Sequence, residues 1–246
     1  AVLAGARAAA ASEPDGARPL IGIPVRAAAP AVDGRLDGDW DGAGCASAFI
    51  DLQGEWAQDQ TAAFIQADAG HLYLGFRCRA PGGWEAQPLP AQSQRLFRGE
   101  AVEVFIRPDP QSPVYFHLAA NPSGSVYTAR CETDGRGETC RTRDETWIPD
   151  GTVAVCRWAG GWSLEARLPF AALGVGPPAP GTEWGLLFGR DRRRGDGSRG
   201  VSSWTGQGTF NAPARFGRGR FDACAGLDWE AESITPYEVR LIVRNN

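Results

Sequence analysis

The segment RLFRGEAVEVFIRPD, Arg95 to Asp109, decides how the rest of the chain is read. Val102, Val104 and Ile106 alternate with Ala101, Glu103, Phe105 and Arg107. That period of two is the signature of a half-buried strand. The strand carries a carboxylate at its centre, Glu103, a second one just ahead of it, Glu100, and an aromatic ring further upstream, Phe97. The next apolar run, VYFHLAAN at 114–121, follows the turn-rich link PDPQSP, so the two runs are expected to pair as an antiparallel hairpin. Glu103 and His117 then fall on the face away from the core. There they read either as ligand-binding groups or as a surface ion pair of little energetic weight.

Working outward, further strand-like runs recur at short intervals: 61–67, 71–79, 124–130, 152–158, 162–168 and 183–189. Turn chemistry such as NPSG and AGG separates several of them. Only PFAAL, 169–173, suggests a helical turn. The pattern predicts an all-β fold, an antiparallel β-sandwich of jelly-roll or immunoglobulin-like type. Residues 1–22 read as a flexible N-terminal segment or linker, 23–225 as the sandwich, and 226–246 as an extension, either an edge strand or the start of a further domain.

Composition narrows the function classes. The 246 residues carry a net charge of -4, which disfavours nucleic acid as a partner because phosphate binding needs a basic face. The one basic run, RDRRRGDGSR at 190–199, reads as a loop. All 25 basic residues are arginine and there is no methionine, so lysine Schiff-base chemistry and methionine ligation are unavailable. No stretch reaches the ~20 apolar residues of a membrane-spanning helix. The six cysteines form no CxxC pair, which disfavours a zinc ribbon. They read better as disulfides, hence a secreted, periplasmic or cell-surface setting. Cys131 and Cys140 flank the turn-rich ETDGRGET, a spacing that suits one disulfide-closed loop. Cys45, Cys78, Cys156 and Cys224 cannot be paired from spacing.

No catalytic set stands out. There are two histidines, His71 and His117, and no GxSxG, HExxH, P-loop or dinucleotide fingerprint. His71 follows a turn and reads as a solvated turn residue. The acidic opening VDGRLDGDWDG offers Asp37, Asp39 and Asp41 as oxygen ligands for a structural calcium, or alternatively as Asx-turn formers.

Taken in order, several blocks resemble family 9 carbohydrate-binding modules and their relatives in the DOMON superfamily. These are VDGRLDGDWDGA, ADAGHLYLGFRCRAP, GEAVEVFIRPD, FHLAANPSGSVY, GWSLEARLPFAALG, EWGLLFGRDR, SSWTG and FNAPARFGRGRF. They cover about residues 23 to 223. The resemblance implies a β-sandwich that binds sugar, often at a chain end, between two aromatic rings over a polar floor. Phe97 matches the first stacking position and Phe210 the second, each typically Trp in the family. Glu103 matches the carboxylate that receives sugar hydroxyls, and His117 stands where the family carries Arg. Arg199 and Gln207 lie near its other polar positions. Trp84, in PGGWEAQ, reads either as a replacement platform or as packing over a loop. Trp40, Trp162, Trp184 and Trp204 are expected in the core.

The expectation is therefore a non-catalytic sugar-binding domain, with other domains of a larger protein as further partners. One alternative is a structural or interaction unit that has lost sugar binding. Another is a haem-binding relative, with only the two histidines as candidate ligands and no haem expected.

Overall fold

The computed structural model describes residues 18–134, 137–206, 209–223, 227–234 and 239–245. The strands in chain order are β1 (Leu20–Val25), β2 (Gly44–Ala46), β3 (Ile50–Asp51), β4 (Thr61–Ala67), β5 (His71–Arg79), β6 (Ala101–Arg107), β7 (Val114–Ala120) and β8 (Val126–Thr133). There follow β9 (Cys140–Asp144), β10 (Thr152–Trp158), β11 (Gly161–Pro169), β12 (Glu183–Arg193), β13 (Arg199–Ser203), β14 (Gly217–Ala223), β15 (Leu227–Ile234) and β16 (Val239–Asn245). The expected helical turn is a short 3-10 turn at Phe170–Leu173.

All-β is correct, but one curled, mixed sheet replaces the expected purely antiparallel sandwich. Its strands run in the order β10-β11-β5-β4-β1-β14-β12-β6-β7-β8-β9. β1 lies parallel to β14, from Leu20↔Arg218 to Val25↔Ala223, and touches β4 in parallel at Val25↔Ala67. Parallel neighbours need a long crossover, and nearly the whole domain lies between β1 and β14. The two arms of the sheet curl around a shared core. Ile65, Leu74 and Leu164 from one arm join Val104, Phe116 and Leu186 from the other, all buried. Trp162 and Trp184 are buried in this core, Trp204 packs against it, and Trp40 is buried in a smaller cluster. β15 and β16 pair with each other in a separate two-stranded sheet.

The acidic opening is explained by Glu165 of β11. Its carboxylate accepts Asp33 N at 2.8 Å, Gly34 N at 2.6 Å and Trp40 Nε1 at 2.6 Å. Gly34 has φ +91°, and a Cβ there would lie 2.6 Å from Val155 C, so only glycine fits. Asp39 Oδ2 accepts Ala31 N, and Asp37 Oδ1 accepts Asp39 N. Asp37 thus caps the short 3-10 turn Gly38–Trp40, and the Asp41 backbone N–H closes that turn onto Gly38 O. Among the described residues no three His, Cys, Asp or Glu side chains gather as a metal cage.

The basic run at 190–199 is not a loop. Arg190–Arg193 end β12, Arg199 opens β13, and the turn lies between. Arg190 and Arg192 are buried, and both bind Glu100, which is 0% exposed. Glu100 Oε1 accepts from Arg190 Nε and Nη2 and, at 3.0 Å, from Trp162 Nε1. Its Oε2 accepts Arg192 Nη1 at 3.0 Å and Arg193 N at 2.9 Å. Arg190 also donates to Thr61 Oγ1 at 2.9 Å and Arg79 O at 2.8 Å, which ties β12 to the opposite arm. A buried pair that loses one partner leaves an uncompensated charge in low dielectric, at a cost of about 3–5 kcal/mol. Glu100→Ala should lower unfolding free energy in urea by that amount. A loss below ~1 kcal/mol would show that the network contributes no more than a surface pair.

Candidate functional site

Both faces of β6 are buried, which corrects the half-buried expectation. Val102, Val104 and Ile106 face the shared core. Ala101 and Phe105 face a second cluster with Tyr115, Tyr127, Leu187 and Phe216. Glu103 sits on this second face at 6% exposure and His117 at 2%, so the pair is not a surface ion pair. β6 does pair with β7 as expected.

The register then fixes the neighbours of Glu103. It stands opposite Gly189 of β12 on one side and Ala119 of β7 on the other. Both are small. Asp191, two residues beyond Gly189, and His117, two residues before Ala119, become its diagonal neighbours on the same face. His117 Nε2 lies 2.6 Å from Glu103 Oε2. Asp191 hydrogen-bonds to Glu103 from the other flank. Opposite Glu103, a Cβ on Gly189 would lie 2.5 Å from Phe210 Cε2, so the missing side chain makes room for that ring.

These groups open onto a pocket of about 270 Å³ whose walls include Phe97, Glu103, His117 and Phe210. Four of the residues expected at the site are thus brought together. Phe97 stacks on His117 at a centroid distance of 5.4 Å and 25°, and meets Tyr127 edge-on at 5.0 Å. Behind it, His117 stacks on Phe105 at 4.0 Å and 14°. Phe210 is 9% exposed and meets Phe105 edge-on. The pocket therefore has two phenyl walls that are already supported from behind.

Other expected residues lie elsewhere. Trp84 forms an isolated bridge with Arg194 and packs on the shared core, so it is not a platform in this pocket. Arg199 lines a different cavity. Gln207 and Cys224 lie outside the described residues. Cys131 and Cys140 are free thiols, as are Cys45, Cys78 and Cys156, which corrects the expected disulfide. Cys140 pairs in register with Thr133 across a bulge, its Sγ–H donates to Thr142 O, and its side chain lies in hydrogen-bond contact with that of Cys131.

Five pocket residues were not anticipated from sequence: Arg143, Asp191, Val201, Thr209 and Asn211. The cation that His117 does not supply reaches the pocket from Arg143 of β9. Its Nη2 donates to Asn211 Oδ1 at 3.2 Å, and Tyr115 Oη donates to the same atom at 3.1 Å.

The electrostatics follow from burial. Desolvation raises the Glu103 carboxyl, opposed by its hydrogen bond with Asp191 and by the charge of Arg143. Desolvation raises Asp191 further, with the charge of Glu103 adding to it. Both carboxyls are therefore raised, and the hydrogen-bonded pair shares a proton between them. Burial pushes His117 down to about 3, so the imidazole is neutral and its Nε2 shares the 2.6 Å hydrogen bond with Glu103. His117 Nδ1 is buried without a hydrogen-bond partner among the described residues. Because Glu103 and Asp191 are in hydrogen-bond contact, they are closer than the ~5 Å or more that a glycoside hydrolase needs between its two carboxyls.

The raised carboxyls make stability depend on pH. Between the ordinary carboxyl value of ~4 and the raised values, the folded state holds more protons than the unfolded chain. Stability contributed by the protonated pair is therefore lost as pH rises through that window. The denaturant midpoint should fall between about pH 5 and about pH 8, and Asp191→Asn should flatten the decline. An unchanged slope in the variant would remove Asp191 as its source.

No family model matches the chain, and no curated protein matches it significantly. Solved structures do. A family 9 carbohydrate-binding module from Caldicellulosiruptor kristjanssonii in complex with cellotriose has a TM-score of 0.60 at 16% identity, over 85% of this chain and 95% of its own. A complex of a family 9 module from the same organism with glucose gives 0.61 at 16% identity, over 84% and 97%. A protein of Bacteroides uniformis, provisionally called carbohydrate-binding, gives 0.60 at 18% identity, over 84% and 100%. At these identities the likeness is one of fold: this chain shares the architecture of carbohydrate-binding modules along nearly their whole length.

Proposed function

We propose that the pocket under Phe97 and Phe210 binds carbohydrate without catalysis, taking a monosaccharide or the terminal residue of a chain. The observation that carries this is convergence. Phe97, Glu103 and Phe210 come from three separate segments and line one cavity of about 270 Å³. That volume is just under the ~300–1,000 Å³ of drug-sized sites, which suits one sugar ring. The lining suits it too. Phenyl faces take the C–H face of a pyranose, while Glu103, Arg143 and Asn211 meet its hydroxyls. The neighbouring structures support the reading because two of them were solved with cellotriose or glucose bound. It carries with it a location where glycans occur: secreted, periplasmic or at the cell surface.

A charge-assisted hydrogen bond contributes about 1.5–3 kcal/mol net, and each aromatic contact roughly 1 kcal/mol beyond burial. After the cost of association this corresponds to a Kd between about 1 μM and about 1 mM. Calorimetry against glucose, xylose, galactose and their β-linked disaccharides should find a ligand in that range. Phe97→Ala and Glu103→Gln should each weaken it about tenfold or more. Silence across the panel would leave the domain as a structural or interaction unit, and binding that neither substitution alters would overturn this pocket as the site.

A further inference from the structure

A second cavity of about 380 Å³ adjoins the first, and Val201 lines both. Its walls come from the end of the β12–β13 hairpin, including Arg194 and Arg199, and from the segment around β3, including Asp51, Gln53 and Gln58. That segment forms a hairpin of its own, with Ala57 N bonded to Phe49 O and Ile50 bridged to Trp56. Trp56 stands 59% exposed on it. A large ring left in water, on a hairpin that walls a polar cavity, is unusual because Trp is highly buried on average. The Trp56 ring is not part of the cavity wall, which the hairpin supplies through Asp51, Leu52, Gln53, Ala57 and Gln58.

The charges in this cavity are unevenly matched. Asp59 Oδ2 accepts from both Arg192 Nε and Arg194 Nε at 2.8 Å, and Arg193 pairs with Glu85. Asp51 Oδ1 accepts Gln53 N and Glu55 N. Arg199 is different. It is exposed and stands directly across from Arg193, a like-charge pair that costs stability. Among the described residues its hydrogen bond goes to a backbone carbonyl, Arg98 O at 2.9 Å, and it has no carboxylate in ion-pair contact. Burial raises the carboxyl of nearby Asp191, an effect that the charge of Arg199 partly offsets.

We propose that this cavity is a second subsite for the same ligand, an acidic oligosaccharide. Its terminal residue occupies the first pocket, the chain crosses Val201, and a carboxylate-bearing residue is held by Arg199 and Arg194. The geometry of guanidinium suits a carboxylate because it presents a planar fork of donors. This rests on the carbohydrate reading above and extends it to ligand class.

The test is calorimetry at low salt with glucose, cellotriose and cellotriose oxidised at C6 to carry glucuronate. Cellotriose should bind more tightly than glucose, and the oxidised trimer about tenfold more tightly again. Added salt should narrow the second gap. Arg199→Gln should lower the acidic-to-neutral affinity ratio and leave the cellotriose-to-glucose ratio unchanged. Arg199 is exposed, so the variant should fold. Glucose binding with no gain from chain length or charge would overturn the second subsite alone. Silence toward all three sugars would overturn the carbohydrate reading and the subsite with it.

Discussion

The buried carboxylate of Glu100 is the constraint on which the rest of this structure hangs. It sits just ahead of β6, fully enclosed, and takes hydrogen bonds on both oxygens from Arg190, Arg192, Trp162 and the Arg193 backbone. Those donors come from β11 in one arm of the sheet and β12 in the other. Arg190 continues the link to Thr61 and Arg79. A hydrophobic core closes without strong direction, whereas this network has one geometry in which every group is matched. It sets where β12 runs beside β6, and with that the register that places Gly189 opposite Glu103 and Asp191 on its diagonal.

The pocket is a consequence of that register. Glu103 lies between a neutral histidine and Asp191, with which it shares a proton, so its hydrogen-bond partners are arranged before a ligand arrives. Phe105 backs His117, and His117 backs Phe97, so the aromatic wall needs little ordering when a ligand arrives. Low ordering cost matters for a small site, since association consumes much of the gross interaction energy. Phenyl rings give less stacking area than indole, and the preformed wall partly offsets that difference.

Much of the fold was legible because its signals are local. The runs at 61–67, 71–79, 101–107 and 152–158 coincide with β4, β5, β6 and β10, since alternation reports burial on a pleat directly. β14 was missed because GRGRFDA carries little strand propensity and is held by partners distant in sequence, β1 and β12. The arginine-rich run was misread for a related reason. Arg190 and Arg192 look like solvated charge until Glu100 and Asp59 are placed beside them. At the site, Phe97, Glu103, His117 and Phe210 were reached through motif resemblance. Asp191, Arg143 and Asn211 were not, because their relevance comes from cross-strand register and loop placement. An inward-facing Asp191 two residues from Gly189 becomes meaningful only once Gly189 is known to face Glu103. Cys131 and Cys140 were tied together by loop spacing, and their side chains do meet, although the structure joins them by no disulfide.

The most direct measurement is an NMR titration with cellotriose, following side-chain carboxyl and aromatic resonances assigned at each position. The account predicts saturable shifts centred on Phe97, Glu103, Asp191 and Phe210, with the Glu103 carboxyl the most affected. Saturable shifts confined to other surfaces, with these four unchanged, would contradict it.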